Sequence, residues 1–382
     1  MSRHVLVTGG AGFIGSRVAL RLASEGWHVR VLDALLPQVH GVAPHEQPLI
    51  RELARATEFV EGDVRDPATS ARALAGCTHV LHLAAETGTG QSIYNAARYA
   101  EANVLATARL SDAFLQCRDT LATVVVASSR AIYGEGRGRC PEHGPVDPPA
   151  RRREDLMARR FEPCCPLCRA TVETLETPES AQPAPASVYA VTKLAQEHLI
   201  LNACRALGLK GAALRFQNVY GAGQSMRNPY VGILPLFAGA ITTGEPLLIF
   251  EDGRQTRDFV HVSDVVEATC RALSQPPAEP VAINVGSGQA VDLITLLGLL
   301  ETLLGRKALR RLTGEAREGD IRHNRACLQR AGALLGYAPR MPLEQGLKEF
   351  IGWAENERGA LSGFAERYAS AVSEMRQHGL VA

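Results

Sequence analysis

The sequence predicts an α/β fold, an open and doubly wound parallel sheet followed by a smaller mixed α/β region. Three observations carry this. Short apolar runs at 5–7, 29–32, 58–60, 79–83 and 123–127 alternate with amphipathic stretches such as 13–25 and 97–117. That alternation is the mark of strand–helix–strand units, whose crossovers of one hand wind helices onto both faces of a sheet. The chain holds 35 glycines and only 5% aromatic residues, which suits tight strand–helix turns better than an all-β sandwich. Its 382 residues leave room for two domains at roughly 100–200 residues each.

Composition narrows the function. Lys plus Arg is 41 against 40 for Asp plus Glu, a net charge of +1. So balanced a chain is poorly suited to gripping a polyanion, which argues against nucleic-acid and membrane-surface roles. The opening Met1-Ser2-Arg3-His4-Val5-Leu6-Val7-Thr8 has no secretory apolar core, and the apolar stretch 291–304 is short and carries Asp292 and Glu301. Nine cysteines, an odd number, do not read as a disulfide framework. A reducing, cytoplasmic home is expected.

The strand–helix rhythm breaks once. Residues 135–187 hold nine prolines from Pro141 to Pro185 except where basic runs such as Arg151-Arg152-Arg153 intervene, and they show little apolar periodicity. A loop of this length is either functional or disordered. Residues 1–226, with this insert, read as the first domain, and 227–382 as a smaller second domain interleaved with it.

The first strand runs into Gly9-Gly10-Ala11-Gly12-Phe13-Ile14-Gly15. Glycines at this spacing let a strand-to-helix turn approach a pyrophosphate, and the helix start offers free N–H groups and a positive dipole end. Asp33 closes the second apolar run, where a carboxylate reaches the ribose hydroxyls of an adenosine and repels a 2′-phosphate. This is a Rossmann-type site for NAD rather than NADP. Asp63-Val64 and Leu83-Ala84-Ala85 fall at the C-terminal ends of the next strands, the edge where ligands sit in such sheets.

Ser128-Ser129 end the fifth apolar run, and Tyr189 and Lys193 follow, four residues apart and so on one face of a helix. A phenol has a pKa near about 10; a neighbouring ammonium favours its anion and makes Tyr189 a usable base. Ser129 can hydrogen-bond the same substrate oxygen.

With these residues in order, the chain resembles the extended short-chain dehydrogenase/reductase family, and within it the nucleotide-sugar epimerases and dehydratases. The resemblance places cofactor glycines at Gly9, Gly12 and Gly15, with Phe13 and Ile14 in the same turn, and catalytic groups at Ser129, Tyr189 and Lys193. Asn103, in Asn103-Val104-Leu105-Ala106-Thr107, matches a family asparagine that helps hold the active-site helix. Asn218, in Leu214-Arg215-Phe216-Gln217-Asn218-Val219-Tyr220-Gly221, matches a residue that touches the sugar diphosphate. Arg257 and Arg317 match two phosphate ligands, and two planar guanidinium forks suit a diphosphate. A homodimer is implied, paired through the helices near 97–117 and 189–206.

The residues after Ser129 separate the chemistries. Dehydratases of the family carry an Asp-Glu pair there for elimination of water; this chain has Arg130 and Ala131, with Arg130 left to face substrate. Reversible oxidation at one carbon remains. The segments Arg227-Asn228-Pro229-Tyr230-Val231-Gly232-Ile233-Leu234 and Ile249-Phe250-Glu251-Asp252-Gly253 are similar to those of bacterial dTDP-L-rhamnose 4-epimerases, which implies conversion of dTDP-L-rhamnose to dTDP-6-deoxy-L-talose. Open alternatives are a UDP-glucose or UDP-glucuronate 4-epimerase, a 4,6-dehydratase or reductase, and a non-catalytic NAD-binding scaffold.

Four cysteines lie in the insert. Cys140-Pro141-Glu142-His143 and Cys165-Pro166-Leu167-Cys168 are two paired-ligand motifs about twenty residues apart, the pattern of a tetrahedral structural zinc site. Free thiols in a mobile loop and a redox Cys-x-x-Cys are the other readings.

Overall fold

The computed structural model describes residues 3–226, 232–317, 319–357 and 364–380. Arg227 to Val231, part of the segment similar to the rhamnose epimerases, lie outside the described residues.

The expected strands form one sheet. β1 (His4–Thr8), β2 (His28–Asp33), β3 (Glu58–Glu61), β4 (His79–His82) and β5 (Thr123–Ser129) are joined by two later strands, Lys210–Phe216 and Val281–Val285. Every pairing in this seven-stranded sheet is parallel. The order, from Val281–Val285 through Lys210–Phe216, is then β5, β4, β1, β2, β3. The chain leaves β1 in one direction to β2 and β3 and in the other to β4 and β5. The crevice at that reversal, beyond the C-terminal ends of β1 and β4, is where such sheets bind ligands.

Both faces of the sheet are covered. Val5, Val7, Val29 and Val31 point to a core closed by the helices Gly15–Ser24 and Val262–Ser274. Leu6, Leu32, Val80, Val124 and Val126 point to the other, against Ala106–Phe114 and Val188–Leu207. The alternation along each strand is the period-two pleat of a strand buried on both faces.

A third core, of Phe237, Leu296, Leu297, Leu300, Leu347 and Phe350, belongs to the later part of the chain. The 291–304 stretch is here a helix, Leu293–Leu304, capped by Asp292, whose Oδ1 accepts the Thr295 N–H at 2.9 Å. Among the described residues no helix is long and apolar enough to cross a membrane. The later half also returns Val281–Val285 and the helix Gln329–Leu335 to the first core.

Of the two readings of the insert, functional or disordered, the structure favours an ordered segment. It contains β6 (Gly138–Cys140), β7 (Gly144–Val146) and β8 (Glu173–Thr174), a small antiparallel sheet, and a short helix, Arg153–Met157. Its own apolar cluster is only Cys140, Cys165 and Val172 with a few neighbours.

The strand-to-helix turn needs its glycines for space. A Cβ on Gly15 would lie 2.3 Å from the Gly9 carbonyl oxygen, and one on Gly9, whose φ is +65°, would lie 2.8 Å from the Ala84 nitrogen. Backbone cannot yield as a flexible side chain does. Gly15→Ala is therefore expected to lower stability by about 1–3 kcal/mol, the range for forced overpacking; thermal unfolding with an unchanged midpoint would contradict this packing.

Candidate active site

A cavity of about 530 Å³ occupies the crevice. At one end lies the glycine turn. Gly9, Gly12, Phe13, Ile14 and Gly15 line it, with Asp33, Asp63, Val64, Leu83, Ala84 and Ala85. Asp33 is fixed by the turn itself: Oδ2 accepts the Ala11 N–H and Oδ1 the Leu35 N–H, each at 2.9 Å. His40 Nε2 approaches Oδ1 at 3.5 Å. The Cβ-free cradle at Gly9 and Gly15, a helix start and a held carboxylate at the end of β2 fit an adenine dinucleotide with a free 2′-hydroxyl. Asp63 is less free. Burial would push its carboxyl up, but the Arg65 fork, at 2.6 and 2.9 Å, holds it below the ordinary range.

At the other end stand Ser129, Arg130, Ala131, Tyr189, Lys193 and Asn218. Ser129 is the last residue of β5. Tyr189 and Lys193 lie on the first turns of the helix Val188–Leu207, which opens on Ser187, whose Oγ accepts the Ala190 N–H at 3.2 Å. Burial pushes the Tyr189 phenol up; a hydrogen bond with Ser129 and the charge of Arg130 act against it. The sequence had pointed to Lys193 as the group that favours the phenolate. Here the Lys193 ammonium, only 3% exposed, instead donates to Gln196 Oε1. Burial lowers its pKa to about 7, with Glu197 acting in the opposite direction.

Gln196 is itself held. Its Nε2 lies 2.9 Å from both His82 Nε2 and Thr107 Oγ1, and His82 Nδ1 lies 2.7 Å from Thr8 Oγ1. Lys193 is thus tied through Gln196 and His82 to the end of β1. Burial keeps His82 neutral, lowering its pKa to about 3.

Three predicted residues do not line the cavity: Asn103, Arg257 and Arg317. Asn103 is fully buried, and its position explains its part. Its Nδ2 donates to Thr192 Oγ1 at 3.0 Å and to the Glu86 carbonyl at 3.0 Å, while its Oδ1 accepts the Glu86 N–H at 2.7 Å. It pins the catalytic helix to the loop after β4. It sits in a π-helical stretch, Ala100–Leu105, inside the expected long helix; wide turns of this kind cluster at functional sites.

Arg257 and Arg317 converge on one carboxylate. Arg257 Nη2 reaches Asp320 Oδ1 at 2.8 Å and Arg317 Nη2 reaches Asp320 Oδ2 at 2.7 Å. Arg130 lines the cavity and feels the charges of Arg257 and Asp320. Burial and the neighbouring Arg257 bring its pKa down to about 9. Its Nη1 and the Nε of Arg317 are buried with no hydrogen-bond partner among the described residues.

The insert gathers its ligands. Cys140, His143, Cys165 and Cys168 place their donor atoms within 4.8 Å of one another. Cys140 Sγ lies 3.5 Å from His143 Nδ1 and 3.5 Å from Cys168 Sγ, and Cys165 Sγ 3.7 Å from His143 Nδ1. Tetrahedral zinc bonds of about 2.0–2.3 Å require donor separations of about 3.3–3.8 Å. Leu167 also donates its N–H to Cys165 Sγ at 3.4 Å. The set fits zinc.

The profile of the NAD dependent epimerase/dehydratase family matches residues 5–155 and 169–286. The chain belongs to this family. Its kind of chemistry is that of the NAD-dependent nucleotide-sugar 4-epimerases. It is 36% identical over 363 residues to dTDP-L-rhamnose 4-epimerase of Burkholderia thailandensis, covering 93% of this chain and 96% of that one. It is 27% identical to a probable UDP-glucuronate 4-epimerase of Rhizobium meliloti, covering 91% and 96%. Among solved structures it is similar to MoeE5 in complex with UDP-glucuronic acid and NAD, at 31% identity and a TM-score of 0.73, covering 93% and 99%. The two parts of the family match leave 156–168 between them, the stretch that carries Cys165 and Cys168.

In this epimerase-family chain the sequence reading passed over several groups. Gln217 and Gln224 line the cavity with buried, unpartnered amide atoms. Gln196, three residues after Lys193, was legible as a same-face neighbour on the helix. Asp320, three residues after Arg317, was given no role.

Lys193 generates a testable consequence. A lysine with a lowered folded pKa destabilises most where it would be charged when unfolded, so the penalty is full below about pH 7 and fades toward about pH 10. Lys193→Met in the ligand-free protein is expected to raise the melting temperature more at pH 6 than at pH 9. An equal shift at both pH values would show that the buried ammonium carries no such cost.

Proposed function

We propose that this protein inverts C4 of a nucleotide-linked hexose through a 4-keto intermediate, with dTDP-L-rhamnose as substrate and dTDP-6-deoxy-L-talose as product. The observation that carries the reading is the placing of Ser129, Tyr189 and Lys193 together at one end of a cavity whose far end is the Asp33 glycine turn. Arg130 and Ala131 stand after Ser129, so no acid–base pair is offered for elimination.

On this reading NAD, when bound, supplies the acceptor that takes the C4 hydrogen with its electron pair and returns it. Tyr189 takes the O4 proton; Ser129 orients that oxygen, and Ser129 and Arg130 draw the phenol down from where burial holds it. Lys193 fixes the cofactor side of Tyr189, and Asn103 holds the helix that carries both. Asn218, Arg257 and Arg317 hold the diphosphate while the keto sugar turns to present its other face. Tyr189 then gives the proton back to O4, so substrate and product differ only in configuration. Residues 1–226 form the NAD half and 227–382 the sugar half, interleaved with it. Zinc belongs to the insert, held by Cys140, His143, Cys165 and Cys168, and its part is structural. A homodimer through the helices near 97–117 and 189–206 is supported by exposed Leu105 and Val191.

Arg130 favours a second reading. A buried guanidinium nitrogen without a partner beside the reacting oxygen suits a sugar carboxylate, which makes a UDP-uronate the alternative substrate.

The two are separated by incubating the purified protein with dTDP-L-rhamnose and UDP-glucuronate in deuterated water and following C4 by NMR. Inversion with the C4 hydrogen retained is expected; deuterium at C3 or C5 would overturn the mechanism. Tyr189→Phe should keep NAD bound and lose about 10²–10⁴-fold in rate.

Metal analysis should find about one zinc per chain, and Cys165→Ser should lose it. A metal-free protein with an ordered insert would refute the zinc assignment.

A further inference from the structure

The insert is wired to the arginines of the substrate end by a belt of ion pairs in which Arg322, Arg151, Glu135 and Glu251 are buried and Glu162 is half-buried. Glu162 lies three residues before Cys165. Its Oε1 accepts from Arg322 Nη2 at 2.6 Å and Nε at 2.9 Å, and its Oε2 lies 2.9 Å from His323 Nε2. Arg322 is 1% exposed, and its backbone N–H donates to Glu135 Oε2 at 2.7 Å. Its carbonyl accepts from Arg257 Nη1 at 3.1 Å. Arg151, also in the insert, pairs with Glu135 and with Glu251, each at 2.8 Å, and donates to the Asp320 carbonyl at 3.0 Å. Phe161 packs on Leu156 and Ala316, next to Arg317.

Glu135, Arg151, Phe161 and Glu162 each make a contact that ends on the segment 316–323, which carries Arg317 and Asp320 and abuts Arg257. None of the belt residues Glu135, Arg151, Glu162 and Arg322 lines the cavity. The insert's own apolar cluster is too small to hold these groups in place alone. The Cys/His group joins β6 to the 165–168 turn, three residues after Glu162.

We propose that the insert is a positioning clamp: its Cys/His centre fixes Glu162 and Arg151, and these set Arg257, Arg317 and Asp320 for the diphosphate of the substrate. The inference rests on the nucleotide-sugar and zinc readings above and adds a coupling to them: the state of the metal centre governs affinity for the nucleoside diphosphate and leaves the dinucleotide site alone. Glu162, Arg151 and Arg322 are positioning residues.

The test uses the full chain in three forms: as purified, stripped of metal by a chelator with the loss checked by metal analysis, and as Glu162→Gln, which alters neither a ligand nor the cavity wall. Calorimetry gives the Kd of dTDP, UDP and NAD. Hydrogen exchange follows the amides of 320–327, and turnover gives kcat and KM separately. The stripped protein and the variant are expected to bind the nucleoside diphosphate about tenfold more weakly, the scale of losing a charge-assisted hydrogen bond. KM should rise with kcat and the Kd of NAD unchanged, and exchange at 320–327 should quicken. Unchanged exchange and unchanged nucleoside diphosphate affinity in both forms overturn the clamp. A general loss that also weakens NAD overturns it too, since it marks a stability effect. If neither dTDP nor UDP binds the intact protein while exchange at 320–327 still follows the metal, the clamp stands and the nucleotide-sugar reading falls.

Discussion

Arg322 cannot be left alone. A guanidinium with 1% exposure has given up its water, and breaking such a buried pair costs about 3–5 kcal/mol because the remaining charge has nowhere to go. Its neighbours answer that demand from separate parts of the chain: Glu162 from the insert, Glu251 and Asp252 from the loop after Leu247–Ile249. The requirement to pair every one of these charges draws the insert, the later half and the end of the seven-stranded sheet to one place. Arg257 and Arg317, each holding one oxygen of Asp320, are the edge of that belt nearest the cavity.

The catalytic end obeys a different rule. Lys193 has no carboxylate in contact; it is bonded to a neutral amide, and Gln196 passes the constraint on to His82 and Thr8. A neutral chain fixes a side chain's place without fixing its charge. The substrate end is held by paired ions and the reacting end by uncharged groups, so titration at the latter does not unbalance the former.

What was legible in the sequence was local. Gly9, Gly12 and Gly15, Asp33 at a strand end, Tyr189 and Lys193 one turn apart, and two ligand pairs in the insert each declare themselves within a few residues, because a turn, a helix face or a chelate is a short-range geometry. The five N-terminal strands followed from apolar runs for the same reason. What was not legible depends on topology. Nothing near Arg322 in the chain announces Glu135 or Glu162 as its partners; only the fold brings positions 135, 162 and 251 together. The π-helical stretch at Ala100–Leu105 is hidden in a regular amphipathic pattern, since it arises from the bonds Asn103 makes to Glu86 and Thr192. The insert looked loose because proline and charge leave it almost no apolar periodicity; its order comes from ion pairs and a small antiparallel sheet, which that periodicity does not register.

The place of the insert in the chain has a consequence for how such a protein is lengthened. It stands between Ser129 and Tyr189, two residues that must meet, sixty positions apart. The entropy of closing a loop grows only with the logarithm of its length, about 0.6 kcal/mol for each doubling. Extra residues at this point therefore weaken the meeting of Ser129 and Tyr189 very little. Held by one metal ion, as proposed, Cys140 and Cys168 would shorten the free path again, so that added chain would arrive already gathered. Between β5 and the catalytic helix the fold has a position where a module can be spliced in while both reacting groups stay anchored, one to a strand and one to a helix.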